Sequence, residues 1–510
     1  MTSLKHKTIS GIKWTLIASV AQRALSFVAT IILARILTPA DYGLFALAFV
    51  MIDGFGIFKS LGFDSALVRR KDGDIEKAAN TAFFLIPAMG MILFGILYIV
   101  APWGSGALGN PQVTPIIRTL GLVFVISCFG KVPQTILYRS MQFKYKSYGE
   151  IAAQAVYVIT AITLALNKFG VWSLVIAYVC KTFTQMIMDW SFSGWRPQLW
   201  RIERERQDTM TPSHKSPGVL VSWCPGAQSI KLNFDTHLAK EMFQFGKFVL
   251  GSGIIGFLFS NLDNLIIGKF LGVTMLGYYA LAMSLANSLN GYFLGKVGMI
   301  MYPAYSKIQE QTRDVERVML KMLKYVGMIA LPFCVGLLIF ATDILRVVFG
   351  EKWLPATNVL RILALVGLLR AIGSSIWPVF LAKGQPKIDF LMNALQVAFF
   401  TVLVIPLAMK FGLNGAATAL LIATLVSFCL GIIRIKSILG VKLVKMLEAI
   451  KLHLLSSLFM VGAAYFLKAT VITSNLKLNF LLAAGVSGGA YLLVTYHNNR
   501  KILREIREAF

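Results

Sequence analysis

Acidic side chains, cysteine and histidine are scarce in this sequence. Among 510 residues only 14% are charged and 23 are Asp or Glu, with five Cys and five His. Soluble domains carry about 25% charged and about 45–50% apolar residues. A chain that is 57% hydrophobic, with a mean hydropathy of +0.70, is therefore neither a soluble globule nor a disordered segment. The Cys and His residues fall into no CxxC, HExxH or paired spacing, so neither a metal centre nor a disulfide framework is expected, and no cofactor is implied. Cys128, Cys180, Cys334 and Cys429 lie inside apolar stretches, where a free thiol behaves as a small hydrophobe. Fifty Lys and Arg give a formal charge of +27. A nucleic-acid binder does not carry long apolar runs throughout its length, so nucleic acid is excluded as a partner and membrane lipid is left.

A spanning helix needs ~20 mostly apolar residues. The chain offers fourteen such stretches, near 12–36, 42–64, 79–101, 115–138, 149–167, 170–195, 243–270, 276–303, 320–342, 357–382, 388–409, 411–434, 448–469 and 475–497. Turn residues punctuate them, as at Thr38-Pro39, Gly109-Asn110-Pro111 and Gly384-Gln385-Pro386. The first stretch is too long for a secretory signal and has no small-residue cleavage site. With the N-terminus placed inside, the inner loops and termini hold thirty-two Lys or Arg and the outer loops six. That asymmetry predicts two cytoplasmic termini, and it makes most of the positive charge a topology signal. The outer loops are too short to house a reaction. The longest connection, 196–242, is mixed in polarity and reads as a cytoplasmic linker or a docking surface.

The two halves resemble each other. Residues 31–48 slide by 234 positions onto 265–282 without a gap, pairing Leu37, Gly43, Ala46, Leu47 and Ala48 with Leu271, Gly277, Ala280, Leu281 and Ala282. A shift of 243 lays Pro115–Val123 on Asn358–Val366, Arg118 on Arg361 and Gly130 on Gly373. The third spans share a proline, Pro87 with Pro332. The expected fold is thus an all-α polytopic membrane protein with two six-helix lobes in parallel repeat, over 1–195 and 243–434. An appended helix pair and tail occupy 435–510. Such a plan puts a substrate path between the lobes near the midplane.

Twelve basic residues fall within or at the ends of the spans, against few acids, namely Asp53, Asp64, Asp189 and Asp263, with Glu150 near a boundary. A charge at the bilayer centre costs ~2.5–3.5 kcal/mol on insertion scales, so such groups face a polar cavity or one another. Arg35, Lys247, Lys269 and Lys451 lie close enough to helix ends to reach the headgroups. Arg23, Lys59, Arg118, Lys131, Lys181, Lys296, Arg361 and Arg370 sit deeper. Each of the deeper residues has two readings, a structural ion pair or a cavity cation. As a set they have too few acids for complete pairing, and the remaining positive field calls for an anion such as a phosphate or pyrophosphate. Arg23, Lys59, Arg118, Lys131, Lys296, Arg361 and Arg370 are the expected cavity cations. Asp53 and Asp263 are candidates for ion coupling or for structural pairing.

The stretch Ala34–Ala46 (ARILTPADYGLFA), with its repeat partner Asn261–Gly272 (NLDNLIIGKFLG) and Leu276–Ala280 (LGYYA), resembles the oligosaccharide-lipid flippases. Within the multidrug/oligosaccharidyl-lipid/polysaccharide exporter superfamily, the resemblance is to the Wzx-like, colanic-acid-exporter type. It runs from Gly11-Ile12-Lys13-Trp14 to Phe349-Gly350-Glu351-Lys352-Trp353, and 211–236 stands out as an insertion. It implies a V-shaped pair of lobes around a cationic cavity in the bacterial inner membrane. It also implies a cargo, an oligosaccharide on undecaprenyl pyrophosphate turned from the inner to the outer leaflet by alternating access. The class works beside polysaccharide polymerase and export machinery. A drug/cation antiporter of the same superfamily is the alternative, but it should favour acidic cavity residues. A membrane glycosyltransferase would need a substantial outer loop, so an enzyme is not expected.

Overall fold

The computed structural model describes residues 2–59, 75–107, 109–140, 142–195, 200–203, 229–232, 256–258, 260–289, 295–470 and 476–498. Lipid offers the main chain no hydrogen-bond partner, so a crossing segment closes its backbone bonds on itself. The first half supplies α1 (Thr2–Ile36), α2 (Pro39–Gly56), α3 (Ile75–Ala107), α4 (Val113–Arg139), α5 (Phe143–Leu166) and α6 (Val171–Ser193). A two-stranded antiparallel ribbon, β1 (Trp200–Glu203) with β2 (Ser229–Leu232), lies in the linker, with Trp200 opposite Leu232. The second half supplies α7 (helical over 260–270), α8 (Val273–Leu289), α9 (Gly295–Lys307), α10 (Thr312–Asp343), α11 (Thr357–Ala382) and α12 (Pro386–Leu439). Then come α13 (Leu443–Thr470) and α14 (Leu476–Asn498).

Ten helical stretches among the described residues are long and apolar enough to cross a membrane. One of them, Lys387–Leu439, covers two expected spans, because Gly412 (φ 59°, ψ −138°) breaks α12 into two arms. Apart from the linker ribbon the described elements are helical, and the chain is a multi-pass membrane protein. Asp64, the Arg69-Arg70-Lys71 loop, Lys247 and most of the 211–236 segment lie outside the described residues, as does much of the seventh expected span.

The Thr38-Pro39 boundary is a helix start with its own chemistry. Thr38 takes extended backbone (φ −84°, ψ 159°) and its side chain accepts from the Asp41 N–H, while the Asp41 carboxylate accepts from the Thr38 N–H at 2.8 Å. This capping box, with Pro39 in the first turn, fixes where α2 begins. From that point α2 runs against α8. A Cβ built on Gly43 would lie 1.7 Å from the Val273 carbonyl oxygen, and one on Gly277 would lie 1.8 Å from the Pro39 carbonyl oxygen. Only glycine permits that approach. The two contacts mirror each other, because Pro39 pairs with Val273 and Gly43 with Gly277 in the 234-residue shift.

The same end of the molecule is clamped by hydrogen bonds from one half to the other. The Trp353 indole N–H donates to the Ala34 carbonyl at 2.8 Å, and the Lys352 ammonium donates to the carbonyls of Arg35 (2.9 Å) and Leu37 (2.6 Å). In return the Arg35 guanidinium donates to Val348 at 2.7 Å and also to Val347. Those carbonyls belong to a π-helical turn, Ile344–Phe349, at the end of α10. The apolar core of this end joins both halves, with Leu47, Leu281, Trp353 and Val404 all buried in it. Losing a buried donor strands its acceptor at a cost of about 1–3 kcal/mol. Trp353→Phe is therefore expected to destabilise the folded protein by that amount, seen as a lower Tm in thermal unfolding of the detergent-solubilised chain; an unchanged Tm would contradict the clamp.

Repeat-related features recur along the helices. Pro87 and Pro332 lie inside α3 and α10, and Arg118 and Arg361 lie in the early turns of α4 and α11. Gly170, which starts α6, has φ 54° and ψ −132°, nearly the conformation of Gly412 at the start of the second arm of α12. On α13 and α14, Leu458, Phe466, Leu481 and Leu492 are exposed, as side chains turned toward acyl chains would be.

Candidate functional site

Charged and amide side chains on α4 and α6 turn into the interior of the first half because no polar solvent exists on their lipid side. They line a cavity of about 180 Å³, bounded by Lys59 beyond the end of α2, Lys131 and Gln134 on α4, and Lys181, Gln185 and Asp189 on α6. Asp189 is only 2% exposed. Its two carboxylate oxygens accept amide N–H groups, from Gln185 at 3.0 Å and from Gln134 at 3.4 Å. Lys131 donates to the Gln134 carbonyl oxygen at 3.4 Å, which orients that amide. Among the described residues, three lysines and one carboxylate share the lining.

A second cavity, of about 360 Å³, lies between the halves. Tyr42, Phe45 and Phe49 of α2, Tyr157 and Tyr178 face Ala280, Leu281 and Ser284 of α8 across it. Lys181 and Tyr178 line both this space and the 180 Å³ cavity. The Lys181 ammonium donates to Gln154 Oε1 at 2.8 Å, and Gln154 donates to Ser26 Oγ at 3.0 Å. Nearby, Glu150 accepts from Gln22 at 3.0 Å and is paired with Lys146.

The second half holds two cavities that share Arg370 and Gln396. The smaller, about 220 Å³, is lined by Asp263, Asn264, Asn287 and Arg370. Asp263 accepts from the Tyr279 hydroxyl and from the Asn264 N–H, each at 2.8 Å, and Arg370 donates to Asn287 Oδ1 at 3.3 Å. The larger, about 400 Å³, adds Ser374, Trp377, Asp389, Asn393 and Thr424.

The residues singled out in the sequence are distributed unevenly over these spaces. Lys59, Lys131 and Arg370 line cavities, and Lys181 lines two of them. Arg118 lines none of the four; its guanidinium sits 4.2 Å from the centroid of the Tyr98 ring and donates to the Tyr98 carbonyl at 3.3 Å. Arg361 is its counterpart and reaches back to Thr342 of α10 at 3.3 Å. Both arginines thus bind the helix that precedes their own. Arg23 is half-buried on α1 and lines none of the four cavities. Lys296 belongs to α9, and its side chain lies outside the described residues. Asp53 accepts from Asn261 at 2.7 Å and so ties α2 to α7, while Asp263 is held within its own half. Gln134, Gln154 and Gln185 were not singled out in the sequence; a polar residue inside an apolar helix is the signal that marks them.

Solved structures with the same fold include the lipid II flippase MurJ in its inward closed conformation, with a TM-score of 0.72 at 16% identity, over 96% of this chain and all of that one. An inward-facing MATE multidrug transporter superposes with a TM-score of 0.56 at 17% identity, over 83% of this chain and 98% of that one. By sequence, the Escherichia coli (strain K12) lipopolysaccharide biosynthesis protein WzxC is 26% identical, over 86% of this chain and 83% of its own length. The Bacillus subtilis (strain 168) teichuronic acid biosynthesis protein TuaB is 25% identical over 99% of this chain and its full length. The model of the family described as "Polysaccharide biosynthesis protein" matches residues 32–211 and 214–358. With polar cavities inside and between two repeat-related helical halves, and more than half its length matched by that model, this chain belongs to the polysaccharide biosynthesis protein family.

Proposed function

We propose that the protein flips an oligosaccharide carried on undecaprenyl pyrophosphate from the inner to the outer leaflet of the bacterial cytoplasmic membrane, for surface polysaccharide biosynthesis. The observation that carries this reading is the cavity whose described lining holds Lys59, Lys131 and Lys181 together with the carboxylate of Asp189. Both oxygens of that carboxylate are engaged by glutamine amides. Phosphate oxygens suit such a site, because charge-assisted hydrogen bonds from ammonium groups contribute more than neutral ones. Lys181 borders both the site and the aromatic space between the halves, and a headgroup enters there while its lipid tail stays in the bilayer.

Two lobes, 1–195 and 243–434, rock against each other, the glycine-packed crossing of α2 and α8 closing in one state and parting in the other, with 435–510 appended to the second. In the expected orientation both termini are cytoplasmic and this crossing seals the outer side. An antiporter of cationic drugs would line the first cavity with acids, and three lysines argue against it. The test is deletion of the gene in its host, followed by extraction of the membrane lipids. Lipid-linked glycan should accumulate on the inner leaflet and clear when the wild-type gene is restored; an unchanged lipid pool with normal surface polysaccharide contradicts the proposal.

A further inference from the structure

The first-half cavity and the larger second-half cavity occupy the same place in the duplicated fold. In the 243-residue shift that pairs Gly130 with Gly373, Ser127, Lys131 and Gln134 fall on Arg370, Ser374 and Trp377. Each of these six lines its own cavity. Gly170 and Gly412, alike in backbone conformation, set a shift of 242 for the helices they start. That shift lays Thr182 on Thr424 and Gln185 on Ser427, again lining residues on both sides.

The two copies have been relined. In the first half Gln134 donates to Asp189; at the matching positions the Trp377 indole lies against Gly431. A Cβ on Gly431 would come within 2.3 Å of that ring and one on Gly373 within 2.4 Å of its Nε1, so both glycines make room for the indole. Phe380 stacks on Trp377 at 5.9 Å and Phe428 meets it edge-on at 6.1 Å, which fixes the ring plane. On the neighbouring helix the Lys146–Glu150 pair is replaced, in the 243 shift, by Asp389 accepting from Asn393 at 3.5 Å. In these registers Lys131 gives way to the Ser374 hydroxyl, Lys146 to the Asp389 carboxylate and Lys181 to Ala423, while Gln134 gives way to the Trp377 indole and Glu150 to the Asn393 amide, around a space of about 400 Å³ against about 180 Å³.

We propose that the Trp377–Asp389–Asn393 cavity is a subsite for one sugar ring of the cargo. The chemistry is that of a neutral pyranose. Its C–H face packs on a fixed aromatic plane, and its hydroxyls donate to the Asp389 carboxylate and accept from Asn393 and Arg370. The duplicated site has thereby split its labour, phosphate to the first half and sugar to the second. This inference rests on the flippase reading above.

Binding to the full-length protein in lipid nanodiscs tests it, with two kinds of probe: undecaprenyl pyrophosphate without sugar, and the same lipid bearing a single glucose, galactose or N-acetylglucosamine. At least one sugar should tighten wild-type binding. Trp377→Ala and Asp389→Asn should each remove about tenfold of affinity for that lipid and leave the sugarless lipid within about twofold, with Trp377→Phe retaining most of the gain. Asp389 is half-buried at a helix start, so its variant folds even if the tryptophan variant does not. Equal losses on both lipids, or no loss on either, overturn the sugar subsite. A wild-type protein that binds the sugarless lipid and gains nothing from any sugar overturns this inference alone; one that binds neither lipid overturns the flippase reading with it.

Discussion

Gly43→Ala combined with Gly277→Ala is expected to abolish transport and to separate α2 from α8. The added carbons would otherwise sit 1.7 and 1.8 Å from main-chain carbonyl oxygens, far inside contact distance. Backbone cannot rotate away as a side-chain tip does, so the helices must part. Overpacking of this kind costs about 1–3 kcal/mol per site. The two sites face the same crossing and are coupled, so their costs do not simply add. Spin-label distances between the starts of the two helices, measured beside thermal unfolding, report both effects. An unchanged distance with normal transport would mean that the crossing does not hold the two halves.

Lys131→Gln with Lys181→Gln is expected to remove binding of the pyrophosphate lipid while leaving insertion and Tm nearly unchanged. Each lost charge-assisted hydrogen bond is worth about 1.5–3 kcal/mol, so the pair accounts for at least about a hundredfold in affinity. Glutamine keeps a donor at each position, which spares the hydrogen bonds to Gln134 and Gln154. Replacing both lysines by arginine should restore most of the binding, because the charge is kept. Wild-type affinity in the double glutamine variant would take these lysines out of the site.

Much of the architecture was legible because a bilayer imposes it. Apolar length marked the helices and Thr38-Pro39 marked a boundary, while the capping box that starts α2 there came only with the structure. The glycine crossing of α2 and α8 was present in the sequence as Gly43 aligned with Gly277; only packing reveals that each meets the other helix's backbone. Function was harder to place residue by residue. Arg118 and Arg361 align well, but the alignment does not tell that each guanidinium bonds the helix before its own. Arg35 read as a headgroup residue; its guanidinium also bonds carbonyls of the π-helical turn after α10, a partner more than 300 residues away that no local pattern announces. Gln134 and Gln185 carry no charge and disappear into apolar helices, although they hold the Asp189 carboxylate of the lysine-lined cavity.

The most direct test of the central claim is a leaflet-transfer assay on the purified chain in proteoliposomes. The vesicles would carry an oligosaccharide-bearing undecaprenyl pyrophosphate, with a membrane-impermeant glycosidase added outside. The account predicts that glycan first shielded on the inner leaflet becomes cleavable when wild-type protein is present and stays shielded with the Lys131→Gln/Lys181→Gln variant. Equal cleavage in protein-free vesicles, or equal transfer by the variant, would contradict it.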